Sequence, residues 1–301
     1  MHSPAADQSP ELPPSIRREK HGEADALVVT TAHSRLVMYL SGAHIVSWVP
    51  DGGEDLLWLS PLASTRPGTS VRGGVPLIGP WFGSGVSGAE SPAHGWLRTA
   101  PFALEWAREE ADGSVSLSLV TGGVPASVDP RWALAEVRLV VRVGQTLDLD
   151  LTLTAGASPI EVEAAFHTYF AVREIQDVEL SGLADAPFVD TRNDRTPGVI
   201  AREPFTFRGP TDLVMTSGAP LTLTDPGLRR DVEILPREAT RTVVWTPWRE
   251  GTANFTDIPE DQWNAFVCVE TAISEDGRAR LAPHESARLG VRYSLSTTLT
   301  G

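Results

Sequence analysis

The chain is poor in cysteine, in long apolar runs and in positive charge. Its single cysteine, Cys268, excludes an internal disulfide framework and a multi-cysteine metal site, and it fits a reducing compartment. No stretch approaches the about 18 consecutive apolar residues that a membrane-spanning helix requires. The N-terminal MHSPAADQSPELPPSIRREKHG has no apolar centre of the kind an export signal carries. Rich in proline and charge, residues 1–22 read as a disordered leader, and the cytoplasm is the expected location. Against 39 acidic side chains stand 25 basic ones, for a formal charge of −14. A field of that sign repels nucleic acid and anionic lipid, so neither is an expected partner. An anionic small molecule could bind only in a local basic pocket.

Several signatures of cofactor and hydrolytic chemistry are missing too. There is no dinucleotide-binding glycine fingerprint, no phosphate-binding loop, no His-Glu-x-x-His and no Gly-x-Ser-x-Gly. The histidines are too scattered to form a metal site by spacing. Neither a metal nor a cofactor is expected. Sustained helical periodicity is nearly absent.

What fills the chain is strand. Leu147 to Thr154 alternates apolar and polar residues without a break, the period of a strand with one buried and one wet face. Ser114 to Val120, Glu136 to Val143 and Leu289 to Leu295 repeat the pattern. Leu36 to Val49, Ile160 to Val172, Asp231 to Leu235, Thr242 to Thr246 and Phe266 to Thr271 extend it. Turn chemistry separates them at Pro50-Asp-Gly-Gly53, Asp112-Gly113, Gly144-Gln145 and Asp225-Pro-Gly227. Many short strands with turns between them predict an all-β sandwich or barrel, and residues 23–301 read as one domain. Two segments break the pattern. Ser70 to Thr99 is crowded with Gly, Pro, Trp and Arg, and Arg249 to Gln262 is irregular and polar. Long irregular segments inside a compact domain are usually functional.

Candidate chemistry follows from side chains that do not suit their surroundings. Strand alternation places Ala165, His167 and Tyr169 on one face and Phe166, Thr168 and Phe170 on the other. A face of histidine, tyrosine and alanine resembles a pocket wall more than a core, although a lone strand histidine is commonly a core residue bonded to backbone. Glu270 lies in the apolar run Phe266-Val-Cys-Val-Glu-Thr271. It is either a desolvated base with a raised pKa or a strand-end glutamate facing water. His94 sits beside Gly95, which permits close backbone approach to a ligand. Alone it reads more readily as an ordinary loop residue. Arg72 and Arg98 flank the Gly/Trp-rich loop and could clamp an anion, or lie on the surface. Trp81, Phe82 and Trp96 offer flat surfaces for a sugar ring, or simple packing.

Taken in order, Val71-Arg-Gly-Gly-Val-Pro76, Pro80-Trp-Phe-Gly83, Ala93-His-Gly-Trp-Leu-Arg98, Phe166-His-Thr-Tyr-Phe170, Ser181-Gly-Leu183, Val244-Trp-Thr-Pro-Trp248, Val267-Cys-Val-Glu270 and Leu281-Ala-Pro283 resemble the aldose 1-epimerase (galactose mutarotase-like) superfamily. The similarity is greatest to its hexose-6-phosphate branch. The resemblance implies a large antiparallel β-supersandwich and an enzyme that interconverts the α and β anomers of an aldohexose 6-phosphate, with no cofactor. It implies His167 as general acid and Glu270 as general base. It gives His94, Arg72, Arg98 and Asp212 to the substrate, a small sugar or sugar phosphate, on a monomer or weak dimer. Departures occur at Thr246, where asparagine is common, at Gly251, near a usual lysine, and at Leu213, where the branch often has arginine. They bear on the phosphate more than on the chemistry. A mutarotase for a free aldose such as galactose or glucose, and a non-catalytic carbohydrate-binding protein of the same fold, are the alternatives.

Overall fold

The computed structural model describes residues 10–122, 128–132 and 134–297. The described chain is built from antiparallel strands, and its one α-helix among those residues is the short Trp248–Thr252. The largest sheet has nine strands. It runs from Phe205–Thr206 through Glu179–Ser181, Leu221–Asp225, Arg230–Arg237, Ser286–Thr297, Leu147–Ala155, Leu134–Val143 and Val115–Thr121 to Ala103–Glu109. An eight-stranded sheet orders Thr196–Val199, Pro187–Asp190, Thr211–Met215, Arg241–Thr246, Phe266–Ile273, Ala164–Phe166 and Leu77–Ile78, with Tyr169–Ala171 also paired to Phe266–Ile273. A four-stranded meander, Ile16–His21 to His44–Pro50, and a two-stranded ribbon, Ile160–Val162 with Ala279–Leu281, complete the set.

The alternation read from the sequence is what layers these sheets. Leu147, Leu149, Leu151 and Leu153 are fully buried, and each contributes at most about 2 kcal/mol of burial. They join Phe166, Phe170, Val244, Val267 and Val269 from the eight-stranded sheet, and Leu27, Leu36 and Met38 from the meander, in one hydrophobic core. Phe170 meets Tyr293 edge to face at 5.4 Å. The Tyr293 hydroxyl shares a hydrogen bond with that of Thr168 at 2.6 Å, which satisfies both groups in the interior. The nine- and eight-stranded sheets therefore face each other, and the far face of the eight-stranded sheet is left for a site.

Three expectations change. Leu36 to Val49 is a hairpin, Ser34–Tyr39 and His44–Pro50, not one run. Ile160 to Val172 is three short strands, broken at Glu163 and again at His167-Thr168. The proposed leader of residues 1–22 ends too late. Ile16–His21 is a strand paired along its length with Ala24–Thr30. Its buried anchor is Ile16 alone, with Arg17 to Lys20 exposed, so no alternation announces it. Backbone pairing with a neighbouring edge makes it a strand. Residues 1–9 lie outside the described residues.

Candidate active site

Sheet register builds the site floor. Along Phe266–Ile273, Val267, Val269 and Ile273 enter the main core, while Phe266, Cys268, Glu270 and Ala272 face the other way. The neighbouring strands obey the same rule. Asp212 lies opposite Trp245, and Trp245 opposite Cys268, which in turn faces Tyr169. One step along, Val214 pairs with Val243 and Val243 with Glu270. Phe166 pairs with Thr271 and Tyr169 with Cys268. The two pieces share one register, so His167, in the gap between them, falls opposite Glu270. Two cross-strand rows result, Asp212–Trp245–Cys268–Tyr169 and Val214–Val243–Glu270–His167.

The walls come from the irregular segments. The Arg72 backbone is stitched to its neighbours by Ser60 N–H to Arg72 O, Gly74 N–H to Trp58 O and Val75 N–H to Ile45 O. Gly74 has φ +65°, and a Cβ there would sit 2.2 Å from Ile45 O, so the Arg-Gly-Gly element is required by this close seam. Gly95 serves a similar end, since a Cβ would meet Gly79 O at 2.0 Å. Its close approach is to the chain's own backbone rather than to a ligand.

These elements enclose a cavity of about 310 Å³. It is lined by Arg72, Phe82, His94, Arg98, His167, Asp212 and Glu270 among the residues singled out in the sequence, and also by Tyr169, Trp245, Phe255 and Asp257. Trp81 is a correction. It is 1% exposed in the core, packs on Trp132 at 4.9 Å and donates its indole N–H to Pro92 O. Trp96 is buried likewise. Of these three aromatics only Phe82 lines the cavity, and Tyr169, Trp245 and Phe255 supply the other flat surfaces. Asp257 comes from the second irregular segment, so the irregularity was a signal although the residue was not identifiable. Trp245 lies within a motif already noted.

His167 Nε2 stands 3.3 Å from Glu270 Oε1. Glu270 is 2% exposed, and its second oxygen has no partner among the described residues. Burial pushes the Glu270 carboxyl well above its usual range, with the charge of Asp212 adding to it. His167 is pushed well below the usual histidine range, by burial first and then by His94, Arg72 and Arg98. Its ring stacks on Tyr169 at 4.9 Å and 9°. His94, 5.9 Å from His167 ring to ring, is lowered to about 4 by burial and by Arg98 and Arg72. Asp212 is raised, chiefly by burial.

Two cations, Arg72 and Arg98, also line the cavity. Arg72 donates to Asp257 at 3.1 Å and to the Tyr169 hydroxyl at 2.9 Å. Arg98 donates one Nη2 bond to Ala93 O. Burial, and then the charge of Arg72 working against the opposite pull of Tyr169, lowers the Arg98 pKa.

The sequence and the fold have known relatives. The family model described as Aldose 1-epimerase matches residues 25–294. The chain belongs to the aldose 1-epimerase family. It is 33% identical over 269 residues to a protein of Escherichia coli K12 named "Putative glucose-6-phosphate 1-epimerase", covering 88% of this chain and 89% of that one. A protein of the same name from Cenchrus ciliaris is 26% identical over 248 residues, 79% of this chain and 74% of that one. Among solved structures, one titled a "putative mutarotase" from Salmonella typhimurium superposes with a TM-score of 0.86 at 28% identity, covering 95% of each chain. A galactose mutarotase-like protein of Clostridium acetobutylicum shares the fold, with a TM-score of 0.68 at 12% identity over 94% of this chain and 98% of that one. This aldose 1-epimerase family member is thus an isomerase with a small sugar as its substrate class, on the mutarotase β-sandwich. No helix among its described residues is long and apolar enough to cross a membrane.

Proposed function

We propose that the protein interconverts the α and β anomers of an aldohexose 6-phosphate, with His167 as acid and Glu270 as base. The observation that carries this reading is the 3.3 Å approach of His167 Nε2 to Glu270 Oε1 on the floor of a cavity that two arginines also line. Opening the sugar ring breaks the bond from C1 to the ring oxygen. His167 gives a proton to that oxygen while Glu270 removes one from the C1 hydroxyl, leaving an aldehyde. Rotation about the bond from C1 to C2 and reversal of both transfers close the ring on the other face.

The pair needs one proton between its two members. Before opening it sits on His167, and after opening on Glu270. Ordinary values of about 6.5 for histidine and about 4.3 for glutamate separate these placements by roughly 3 kcal/mol, at 1.36 kcal/mol per pKa unit. The opposed shifts, His167 down and Glu270 up, both favour the placement on Glu270 relative to that on His167, which is the direction of proton movement in ring opening.

The phosphate reading rests on Arg72 and Arg98. Two guanidiniums share one partly buried wall with one carboxylate, Asp257. Arg72 Nη2, and Nε and Nη1 of Arg98, have no protein partner among the described residues. A phosphate supplies the missing negative charge and accepts from such forks. One observation favours a free aldose instead, namely that Asp257 already occupies the Nε edge of Arg72. Anomer exchange measured by NMR saturation transfer separates the two. Acceleration for glucose 6-phosphate well above that for glucose or galactose is expected. Equal acceleration of all three refutes the phosphate site, and no acceleration of any refutes the enzyme reading.

A further inference from the structure

Glu163 sits where the chain leaves the two-stranded ribbon, Ile160–Val162, and joins the eight-stranded sheet at Ala164–Phe166. It is 6% exposed. Both carboxylate oxygens are used, and each takes a backbone N–H from a different segment. Oε2 accepts from Phe82 at 2.9 Å. Oε1 accepts from Glu275 at 2.7 Å, in the turn that follows the strand carrying Glu270. One side chain therefore ties the loop of the cavity wall to the turn beyond the cavity floor.

The residue after Phe82 is the one that holds His94. Gly83 O accepts the His94 backbone N–H at 2.6 Å. Gly83 N–H donates to His94 Nδ1 at 3.3 Å. A ring nitrogen that accepts a hydrogen bond carries no proton, so the proton of the neutral ring is on Nε2. His94 then presents a donor to the cavity it lines. Its backbone is left-handed, φ +67°, a conformation that costs energy for a non-glycine residue and persists only where neighbours enforce it. The Phe82 ring meets the His94 ring edge-on at 5.0 Å.

We propose that Glu163 is a positioning residue that, by holding the Phe82 N–H and so fixing the backbone that leads into the Phe82–Gly83 peptide, sets both the orientation and the tautomer of His94. It touches no substrate. Its effect reaches the sugar through two backbone groups and one imidazole, in the way that a group behind a histidine commonly selects which ring nitrogen carries the proton. Removing the carboxylate frees the Phe82 N–H. The next peptide, whose Gly83 N–H reaches His94 Nδ1, loses its fixed orientation, and the His94 proton then distributes between Nδ1 and Nε2.

The inference rests on the proposed sugar site for its kinetic consequence, but its main readout does not. The test is the pair of ¹⁵N ring shifts of His94 in the full chain, for wild type, Glu163→Gln and Glu163→Ala, with anomer-exchange kinetics alongside. Wild type is expected to show the Nε2–H form alone. Both variants are expected to show a mixture of tautomers. KM is expected to rise about fivefold, the size of one lost hydrogen bond, with kcat within about twofold. The glutamine variant keeps shape and one acceptor, and it decides the matter if alanine fails to fold. A wild-type ring carrying its proton on Nδ1 overturns the proposal without any variant. So do folded variants that keep the Nε2–H form. Failure of the sugar reading shows separately, as a wild-type protein that accelerates no anomer exchange.

Discussion

Replacing Glu270 by glutamine sets stability against chemistry in a way that can be measured. The wild-type carboxyl is 2% exposed, with one oxygen 3.3 Å from His167 and the other without a partner. Ionising it there is costly, which is why its pKa is raised well above the usual range. The sign follows from linkage. A carboxyl whose folded pKa exceeds its unfolded value favours the fold at low pH, and that contribution is lost as pH rises through the folded pKa. At neutral pH the burial of this carboxyl therefore costs the native protein stability. A buried ion costs several kcal/mol, whereas an imperfectly bonded neutral amide costs about 1–3 kcal/mol. Glu270→Gln is expected to stabilise the fold by about 1–2 kcal/mol near pH 7–8, in the range typical of relieving functional-site strain. For a chain of this size the gain is about 2–4 °C in Tm per kcal/mol. The gain should shrink as pH falls toward the ordinary glutamate range, where wild type is protonated too. His167, pushed down, loses stability as pH falls below its unfolded value, so the comparison must be the difference between variant and wild type at each pH. Activity moves the other way. Removing the proposed base should lower kcat by about 10²–10⁴-fold. Thermal unfolding followed by circular dichroism from pH 4.5 to 8, with anomer exchange on the same samples, reads both. A variant less stable than wild type at pH 8, or one retaining near-full activity, refutes the reasoning.

Three further outcomes follow from the same geometry. Arg98→Ala should raise KM for glucose 6-phosphate about 10-fold or more, from loss of a charge-assisted contact, and leave KM for free glucose nearly unchanged. Parallel kinetics on the two sugars check this. Trp81→Ala should destabilise the protein by about 3–5 kcal/mol as a core cavity, with KM unaffected at temperatures where the fold persists. A large KM effect in folded protein would return Trp81 to the sugar. Gly74→Ala places a Cβ 2.2 Å from Ile45 O at φ +65°, and should cost about 1–3 kcal/mol or more, read as a lower midpoint in urea.

Much of the fold was legible because its strands alternate. Leu147 to Thr154 and Glu136 to Val143 fall within strands one or two residues longer, since side-chain period alone decides which face is buried. Ile16–His21 was not legible, because a charged strand held by backbone pairing carries no period. At the site, the face assignment of residues 165–170 agrees with the structure, since Phe166 and Phe170 enter the core and His167 and Tyr169 line the cavity. The break at His167-Thr168 left no trace in the sequence, because a gap that keeps register also keeps alternation. Trp81 and Phe82 looked alike as flat rings. Adjacent residues diverge in direction, and nothing in composition told which one the cavity would take. Asp257 was hidden in an irregular segment, where no period links a residue to its neighbours in space.

The shared register on either side of His167 has a bearing on how such an enzyme can change. The spacing between the proposed acid, His167, and the proposed base, Glu270, is set by the register of the sheet and not by any loop. Loops around the cavity can therefore lengthen, shorten or exchange residues, and with them the sugar accepted, while the proton-transfer distance stays as it was. The strand itself has no such freedom. Deleting a single residue between Ala164 and His167, with the pairing of Ala164 kept, would move His167 to the place of Phe166, facing the core, and put Thr168 where His167 stands. Variation in this chain is thus channelled toward specificity and away from chemistry by the backbone itself.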